Sequence, residues 1–388
     1  MLVVDAHERG MLAACRALAG AGYDVSATAP SRSAPGLWSR ACSQRVVLPS
    51  SETHARAFAD GLRRIVRADR HSVLLAGGDA SLRTISEHRD MIEPHVVVRL
   101  PTAEVVERSL DKITLIEQAP RAGLSVPETV CCRNRAEALE VARASGFPIV
   151  VKPRHAGVRS SRVRDWRSRV AWNEQSVARY VDRYVGEWLL QTHASGTVYS
   201  CAGVMTPTGL RSFFFSRYVR TWPPDGGNCA FSESCTASPA VEQMVGRLLV
   251  EIGWIGIFEL ELLVGKGREV FALDFNPRPY GSLALAVSAG TSLPVVWCDW
   301  LLGQRIAVEP SRPGFRYRWE DGDVRHALWQ LGRRDLAGFG QTIMPRRHVA
   351  HAYFSRRDPL PLLARLISLI RRAAVLASRS IRASRKGA

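Results

Sequence analysis

The chain opens with a short apolar run from Leu2 to Asp5. A stretch with helical spacing follows from Gly10 to Gly22, then a second apolar run from Asp24 to Ala29. Strand, helix, strand is the start of a βαβ unit. "HSVLLAGGDASL" adds a buried strand ending in Gly77-Gly78-Asp79, and "HVVVRLP" adds another. Residues 1–105 therefore read as a Rossmann-like parallel α/β unit. They lack GxGxxG, so no dinucleotide site is assigned. Gly77 to Asp79 lie at a strand's carboxyl end, where open α/β sheets take ligands; a plain tight turn is the simpler account.

A different pattern governs the C-terminal half. "TVYSCAGVMTPTGLRSFFFSRYVRTWPPDGGNCAFSES" reads as a run of antiparallel strands, and "AVEQMVGRLLVEIGW" as a helix by its apolar spacing. Ile257 to Val264 read as a strand, Gly265-Lys266-Gly267-Arg268 as a turn, and Glu269 begins the return. On the return, Phe271, Leu273 and Phe275 share one face, while Ala272, Asp274 and Asn276 share the other. Pro277 and Pro279 stop the strand because proline cannot donate to a sheet ladder. On the outgoing strand Glu259 and Glu261 alternate with Phe258, Leu260 and Leu262. Folding the hairpin sets Glu261 roughly opposite Asp274 and Asn276. Glu259 shares its parity and is the competing ligand; Glu261 is favoured. Two carboxylates and an amide oxygen on one face suit a hard divalent cation such as magnesium, which leaves room for substrate phosphates. Without a cation, one carboxyl of such a group would tend to stay protonated. An ordinary amphipathic edge strand is the alternative reading of this stretch taken alone.

Glu261, then Asp274-x-Asn276-Pro277-Arg278, then "GSLALAVSAG", resembles the metal-binding end of the ATP-grasp superfamily. The resemblance spans residues 1 to about 335 and is strongest from 256 to 303. It implies an α/β protein, α+β in its C-terminal half. Residues 1–105 would be the pre-ATP-grasp domain, 106–190 the N-terminal lobe, 191–335 the C-terminal lobe with the metal site, and 336–388 a basic amphipathic tail. It further implies ATP and two magnesium ions, with manganese as an alternative, held by Glu261, Asp274 and Asn276. Lys112 opens the helix after "SLD"; alone it reads as an exposed helix lysine, and in the family a lysine here reaches a phosphate. Lys152 ends the strand "FPIVVK", where a buried charge is costly unless paired, and a nucleotide phosphate would pair it. The loop from Arg154 to Ser161 would fold over phosphates through backbone N–H groups, with Gly157, Ser160 and Ser161 as contacts. It departs from the family in holding a single glycine beside Arg154, His155 and Arg159. Gln191 matches the adenine position, but Thr197 and Val198 follow Gly196 where relatives carry a ribose-binding glutamate. Arg220 and Arg278 would steady the transferred phosphoryl group through their planar forks, a surface arginine on a strand being the plain alternative for Arg220 and more so for Arg217.

The activity so implied is a ligase that activates a small-molecule carboxylate as an acyl phosphate and joins it to an amine. A Rossmann dehydrogenase fails for want of the glycine fingerprint. The alternative of another class is a non-catalytic ATP-binding partner of a membrane-associated polysaccharide or peptide assembly complex. The segment "GFRYRWEDGDVRHALWQLGRR" resembles ATP-grasp proteins found near sugar and exopolysaccharide genes.

Composition adds limits. A chain of 388 residues with 46% apolar content suits a globular protein of two or three subdomains. The start has neither a signal-peptide pattern nor an apolar run long enough to span a bilayer. The eight cysteines form no CxxC pair, so they are expected reduced, in a cytoplasmic protein. The formal charge is +17. After Asp358 no acid occurs, while Arg365, Arg371, Arg372, Arg379, Arg382, Arg385 and Lys386 follow. A helix there would carry an apolar stripe of Leu363, Leu366, Ile367, Ile370, Ala374, Ala377 and Ile381. Residues 359–388 therefore suit peripheral contact with an anionic membrane at its inner face, or docking on the protein's own surface. No nucleic-acid motif is recognised.

Overall fold

The structure, a computed structural model, describes residues 1–155, 168–183, 186–307 and 309–371. At the N-terminus four parallel strands, β1 (Leu2–Val3), β2 (Ser26–Ala29), β3 (Gln44–Val47) and β4 (Leu74–Leu75), stand in the order β3-β2-β1-β4. This is the expected parallel α/β unit, with shorter strands. Asp5 takes a φ of 59°, outside the extended region, so β1 stops at Val3. The helix Arg9–Gly20 crosses between β1 and β2, turning Met11, Leu12, Ala14, Cys15 and Leu18 inward. Its second residue, Gly10, runs so close to the Tyr280 backbone that a Cβ would lie 2.2 Å from the Tyr280 oxygen.

A second sheet, antiparallel, follows the order β5-β8-β6-β7, from β5 (Thr129–Cys132), β6 (Ile149–Pro153), β7 (Arg169–Ala171) and β8 (Trp188–Thr192). The helices Arg135–Ser145 and Glu174–Val181 cover it around their own core of Ala138, Ala142, Ile149, Val151, Val177 and Leu190. The third sheet has seven strands: β9 (Thr197–Thr206), β10 (Gly209–Trp222), β11 (Asn228–Ser234), β12 (Gly256–Val264), β13 (Val270–Asn276), β14 (Arg316–Arg318) and β15 (Val349–His351). Their order is β13-β12-β9-β10-β11-β14-β15, so the β12–β13 hairpin forms one edge.

The cores cut across the expected boundaries. Val106, Leu110, Leu115 and Leu124 share a core with Val245, Leu248, Leu260 and Phe275. The segment from 106 to 124 is thus the backing of the seven-stranded sheet, and the smaller lobe begins near β5. Gln191 sits inside β8, so a boundary at 190 splits a strand. The region expected as a tail from 336 onward supplies β15 and a helix over 360–371. Within it, Asp358 accepts from Arg16 Nε at 2.9 Å, Ser39 Oγ at 2.6 Å and the Arg40 N–H at 3.0 Å. Arg365 ion-pairs with Asp321. The remaining tail residues, 372–388, lie outside the described residues. All eight cysteines are free. Among the described residues no helix is long and apolar enough to cross a membrane.

Asp358 fastens the C-terminal segment to the first unit. Burial raises its pKa, but Ser39, the Arg40 N–H and Arg16 more than offset this and hold it below the usual carboxylate value. Its contribution is present above the unfolded carboxylate pKa and is lost as pH falls through the folded one. Asp358→Ala is expected to cost about 3 kcal/mol at pH 7, since it removes the carboxylate from Arg16 and leaves that guanidinium only the Tyr353 and residue-358 carbonyls. The deficit against wild type should shrink as the pH drops below about 4. Urea midpoints at both pH values check this; a deficit independent of pH would remove the charge from the account.

Candidate active site

The hairpin brings its polar residues to one wall of a cleft of about 720 Å³. In the register of β12 and β13, Glu259 faces Asn276 and Glu261 faces Asp274. The register then jumps from Asp274 to Ala272, leaving Leu273 unpaired in a bulge. Ala272 consequently turns into the same core as Phe275, and Leu273 lines the cleft beside Asp274 and Asn276. This departs from strict alternation, which put Ala272 with the polar face and Leu273 opposite it.

The carboxylates are linked. Glu259, 4% exposed, accepts from Ser200 Oγ at 2.6 Å and from Asn276 Nδ2 at 3.1 Å. The Tyr218 hydroxyl on β10 stands between the two glutamates, 2.9 Å from Glu261 Oε1 and 3.3 Å from Glu259 Oε1. Burial, then the charges of Glu259 and Asp274, push the Glu261 carboxyl up to about 8. Burial also raises Glu259, against the pull of Ser200, Arg278, Tyr218 and Asn276. Two protonated or repelling carboxyls in one pocket mark a deficit of positive charge.

Cations approach from the facing elements. Lys112 begins the helix Lys112–Gln118 behind the Asp111 cap, and its ammonium donates to Asp274 Oδ1. Burial raises Asp274, but Lys112, Lys152 and Arg278 outweigh it and hold the carboxyl below its usual value. Lys152, 5% exposed, closes β6 and donates to the Leu273 carbonyl at 3.0 Å. The bulge leaves that carbonyl without a ladder partner. Burial, reinforced by Lys112, pulls the Lys152 ammonium down to about 8. Arg278 grips Asp79 through Nε at 2.5 Å and Nη2 at 3.2 Å, and also donates to Asn276 Oδ1 at 3.1 Å. Asp79 begins the helix after the Gly77-Gly78 turn, so the turn that seemed plain supplies a wall of the cleft.

Gln191 lines the cleft and spends its amide on Thr129 Oγ1 at 2.9 Å. Gly157, Ser160 and Ser161 lie outside the described residues. Arg154 is engaged elsewhere, with Asp111 at 2.6 Å and Glu187 at 2.7 Å. Arg220, expected at the phosphoryl group, is turned away. Register shifts on either side of it break the alternation of β10, so Tyr218 and Thr221 face the cleft. Arg220 instead stacks 4.5 Å over Phe231 and pairs with Asp323 at 2.8 Å. Arg217 pairs with Glu233 at the surface. Sequence reasoning passed over Tyr218, Ser200, His193 and Arg9, of which Tyr218, His193 and Arg9 line the cleft. The parity of β10 carried a signal for Tyr218; Arg9 carried none. Among the described residues no three His, Cys, Asp or Glu side chains form a compact metal cage. The oxygen set with its raised carboxyls nonetheless suits a cation that completes its shell from phosphate and water.

No model of a known protein family matches the chain. Among curated proteins it is similar to large chains of carbamoyl phosphate synthase. It is 20% identical over 289 residues to that of Pseudomonas aeruginosa, covering 69% of this chain and 26% of that one. Against that of Sulfurisphaera tokodaii it is 33% identical over 219 residues, covering 50% and 19%. The chain thus spans about a quarter or less of the length of these relatives. Solved structures resemble it more fully. An ADP complex of N5-carboxyaminoimidazole ribonucleotide synthetase superposes with a TM-score of 0.63 at 12% identity, covering 86% of this chain and 84% of the other. The L-amino acid ligase of Bacillus licheniformis gives 0.61 at 13%, covering 77% and 73%. The biotin carboxylase domain of Hydrogenobacter thermophilus 2-oxoglutarate carboxylase, solved with MgADP, ADP and bicarbonate, gives 0.61 at 14%, covering 81% and 73%. The chain shares the fold of these solved structures, the ATP-grasp fold that its motifs led one to expect.

The raised Glu261 carboxyl predicts a pH dependence. In the fold it keeps its proton up to about pH 8, while the unfolded chain releases it near pH 4.5. Through that window the unfolded state binds fewer protons, so stability falls as pH rises. Glu261→Gln should flatten the fall. Urea midpoints at pH 5, 6.5 and 8 with chelator present test it, and an unchanged slope would mean that Glu261 is ionised throughout.

Proposed function

We propose that this chain is an ATP-dependent ligase that joins a small-molecule carboxylate to an amine. The observation that carries the reading is the convergence of Lys112, Lys152, Glu259, Glu261, Asp274 and Asn276 on one cleft between two lobes. The nucleotides bound in similar solved structures support ATP as the ligand. Magnesium, or manganese in its place, would rest on Glu261 and Asp274, with Glu259 and Asn276 completing the wall. When bound it supplies positive charge to the phosphates. Among the described residues the hydrogen-bond partner of buried Lys152 is the Leu273 carbonyl, and a phosphate would give it a counter-charge in direct contact. Lys112 neutralises Asp274 in the free protein; a cation on Asp274 would release its ammonium toward a phosphate. Arg278, fixed by Asp79, holds a cationic edge beside Asn276. Gln191 and His193 line the cleft on the β8 side, where the base would lie.

An oxygen of the substrate carboxylate attacks the γ-phosphorus while the bond to the departing ADP oxygen breaks. The amine nitrogen then attacks the acyl carbon, phosphate leaves with the bonding pair, and the nitrogen proton passes to solvent. No protein nucleophile is required, and the rate comes from positioning and charge neutralisation. ADP release from magnesium-ATP with pooled amino acids, dipeptides and amino sugars tests the reading. Asp274→Ala should lower it more than 100-fold with the fold intact by circular dichroism. Retained turnover would remove Asp274 from the site.

A second reading, a nucleotide-binding partner at an anionic membrane, is favoured by one feature. On the helix over 360–371, Leu363, Leu366 and Ile370 are exposed, near Arg356, Arg357 and Arg371 in sequence. An exposed apolar stripe with basic neighbours suits a lipid surface. Full-length protein should co-sediment with vesicles of anionic phospholipid and not with neutral ones, and Leu366→Asp/Ile370→Asp should weaken the binding at least tenfold. Equal partitioning to both vesicle types would remove the membrane from the account.

A further inference from the structure

Arg9 is the first residue of the helix Arg9–Gly20, and it lines the cleft. Its guanidinium lies over an aromatic ring. The Trp319 ring is 4.0 Å from Cζ, and Nη1 donates to the Tyr317 hydroxyl at 3.3 Å. Tyr317 is held in turn by donating to the Gly281 carbonyl at 2.9 Å. Gly281 has no Cβ where one would fall 2.7 Å from Arg9 Nη2, and that absence lets the fork rest on the backbone. Among the described residues no carboxylate forms an ion pair with Arg9. Lys112 has Asp274 and Arg278 has Asp79, whereas Lys152, like Arg9, forms no ion pair among the described residues and donates to the Leu273 carbonyl.

A guanidinium has five N–H donors and cannot lose its charge. Among the described residues one donor of Arg9 has a hydrogen-bond partner, and the Trp319 ring against Cζ limits where the rest can turn. A largely desolvated, oriented fork is costly to keep without an anion, and its geometry matches two oxygens of one planar or tetrahedral oxyanion.

We infer that Arg9 binds a permanent anionic group, a carboxylate or phosphate, on the acceptor substrate, apart from the group that reacts. This rests on the ligase reading and narrows its substrate class. A neutral acceptor would leave the fork unpaired, so the site selects against it. Tyr317, Trp319 and Gly281 are positioning residues that set the plane of the fork.

The test is a thermal-shift titration of full-length protein saturated with magnesium and a non-hydrolysable ATP analogue, which occupies the lysines. The probes are inorganic phosphate, glycylglycine, L-glutamate and phosphoethanolamine, with glycinamide and glycylglycinamide as neutral counterparts. Calorimetry of the analogue alone reads the nucleotide site separately, so loss of nucleotide binding is seen as a failure of the ligase reading. The anion titration is then run on the free protein. The expected result is that at least one anionic probe raises Tm in wild type, that the neutral amides do not, and that Arg9→Gln weakens the response at least tenfold. A carboxylate-only response identifies an acid, and a phosphate-only response a phosphorylated acceptor. Arg9→Met, which keeps the stem on Trp319, replaces Arg9→Gln should that variant not fold. The proposal is overturned if neutral amides act as well as anions, if the variant responds like wild type, if no anion shifts either protein, or if the variant loses nucleotide affinity instead.

Discussion

Buried charge on the β12–β13 hairpin is the constraint around which the rest of this structure is arranged. Glu259, Glu261 and Asp274 stand on two neighbouring strands with Asn276 beside them. Like charges so close in a desolvated place repel, and a hydrophobic isostere would be the cheaper choice for stability alone. The fold tolerates the cluster by ringing it with groups that answer it: Ser200 and Tyr218 from the neighbouring strands, Lys112 from the backing helix, Lys152 from the small lobe and Arg278 from the strand's own end. The answer is incomplete at Glu261, whose carboxyl stays protonated to about pH 8. An arrangement that spends five elements on one anionic cluster and still leaves it short of positive charge is one that an added cation would complete.

The same network fixes how the units meet. Arg278 reaches from the C-terminal sheet to Asp79 of the first unit, and the two share a continuous apolar core that includes Val3, Leu12, Phe214, Tyr280 and Tyr317. Their relation is rigid by ordinary packing. The small lobe has its own core. It touches the hairpin through Lys152 on the Leu273 carbonyl, and the Asp111–His155 bridge joins it to the backing helices. A polar contact at a cleft is easier to break than a shared core. The position of Lys152 over the Leu273 carbonyl is therefore the more easily adjusted one, compared with those of Arg9 and Arg278.

Much of this was legible in the chain. The βαβ opening and the hairpin followed from period and turn chemistry, and Asp274, Asn276 and Arg278 came with a motif whose spacing is local. What escaped the sequence was set by irregularities that carry no letter of their own. A bulge at Leu273 moved Ala272 into the core and freed the carbonyl that Lys152 uses. Register shifts around Arg220 turned it from the cleft toward Asp323 and gave its place to Tyr218 and Thr221. A one-residue slip reverses the face of every side chain beyond it, so alternation is safe only as far as the next bulge. The boundary at 105 failed for a different reason. The helices from 103 to 118 follow the first unit in sequence but bury their apolar faces on the last sheet, and amphipathic spacing does not say which partner a face meets.

Arg9 shows the limit most clearly. In the sequence it is one of many arginines in a strongly basic chain, next to Glu8 and ahead of a helix, and a solvated surface pair would explain it. Its meaning depends on Gly281, Tyr317 and Trp319, which lie about 270 to 310 positions away. Only the fold brings them together, and it places the fork in a cleft where, among the described residues, no carboxylate ion-pairs with it. Net charge acts in the same direction at larger scale. A chain carrying +17 that also lines its cleft with Arg9, Lys112, Lys152 and Arg278 draws anions toward that opening. In the proposed ligase, nucleotide and acceptor would be bound by one physical preference, and selectivity between them would fall to geometry: lysine ammonium groups act as point charges for phosphates, and a guanidinium fork meets two oxygens of one group.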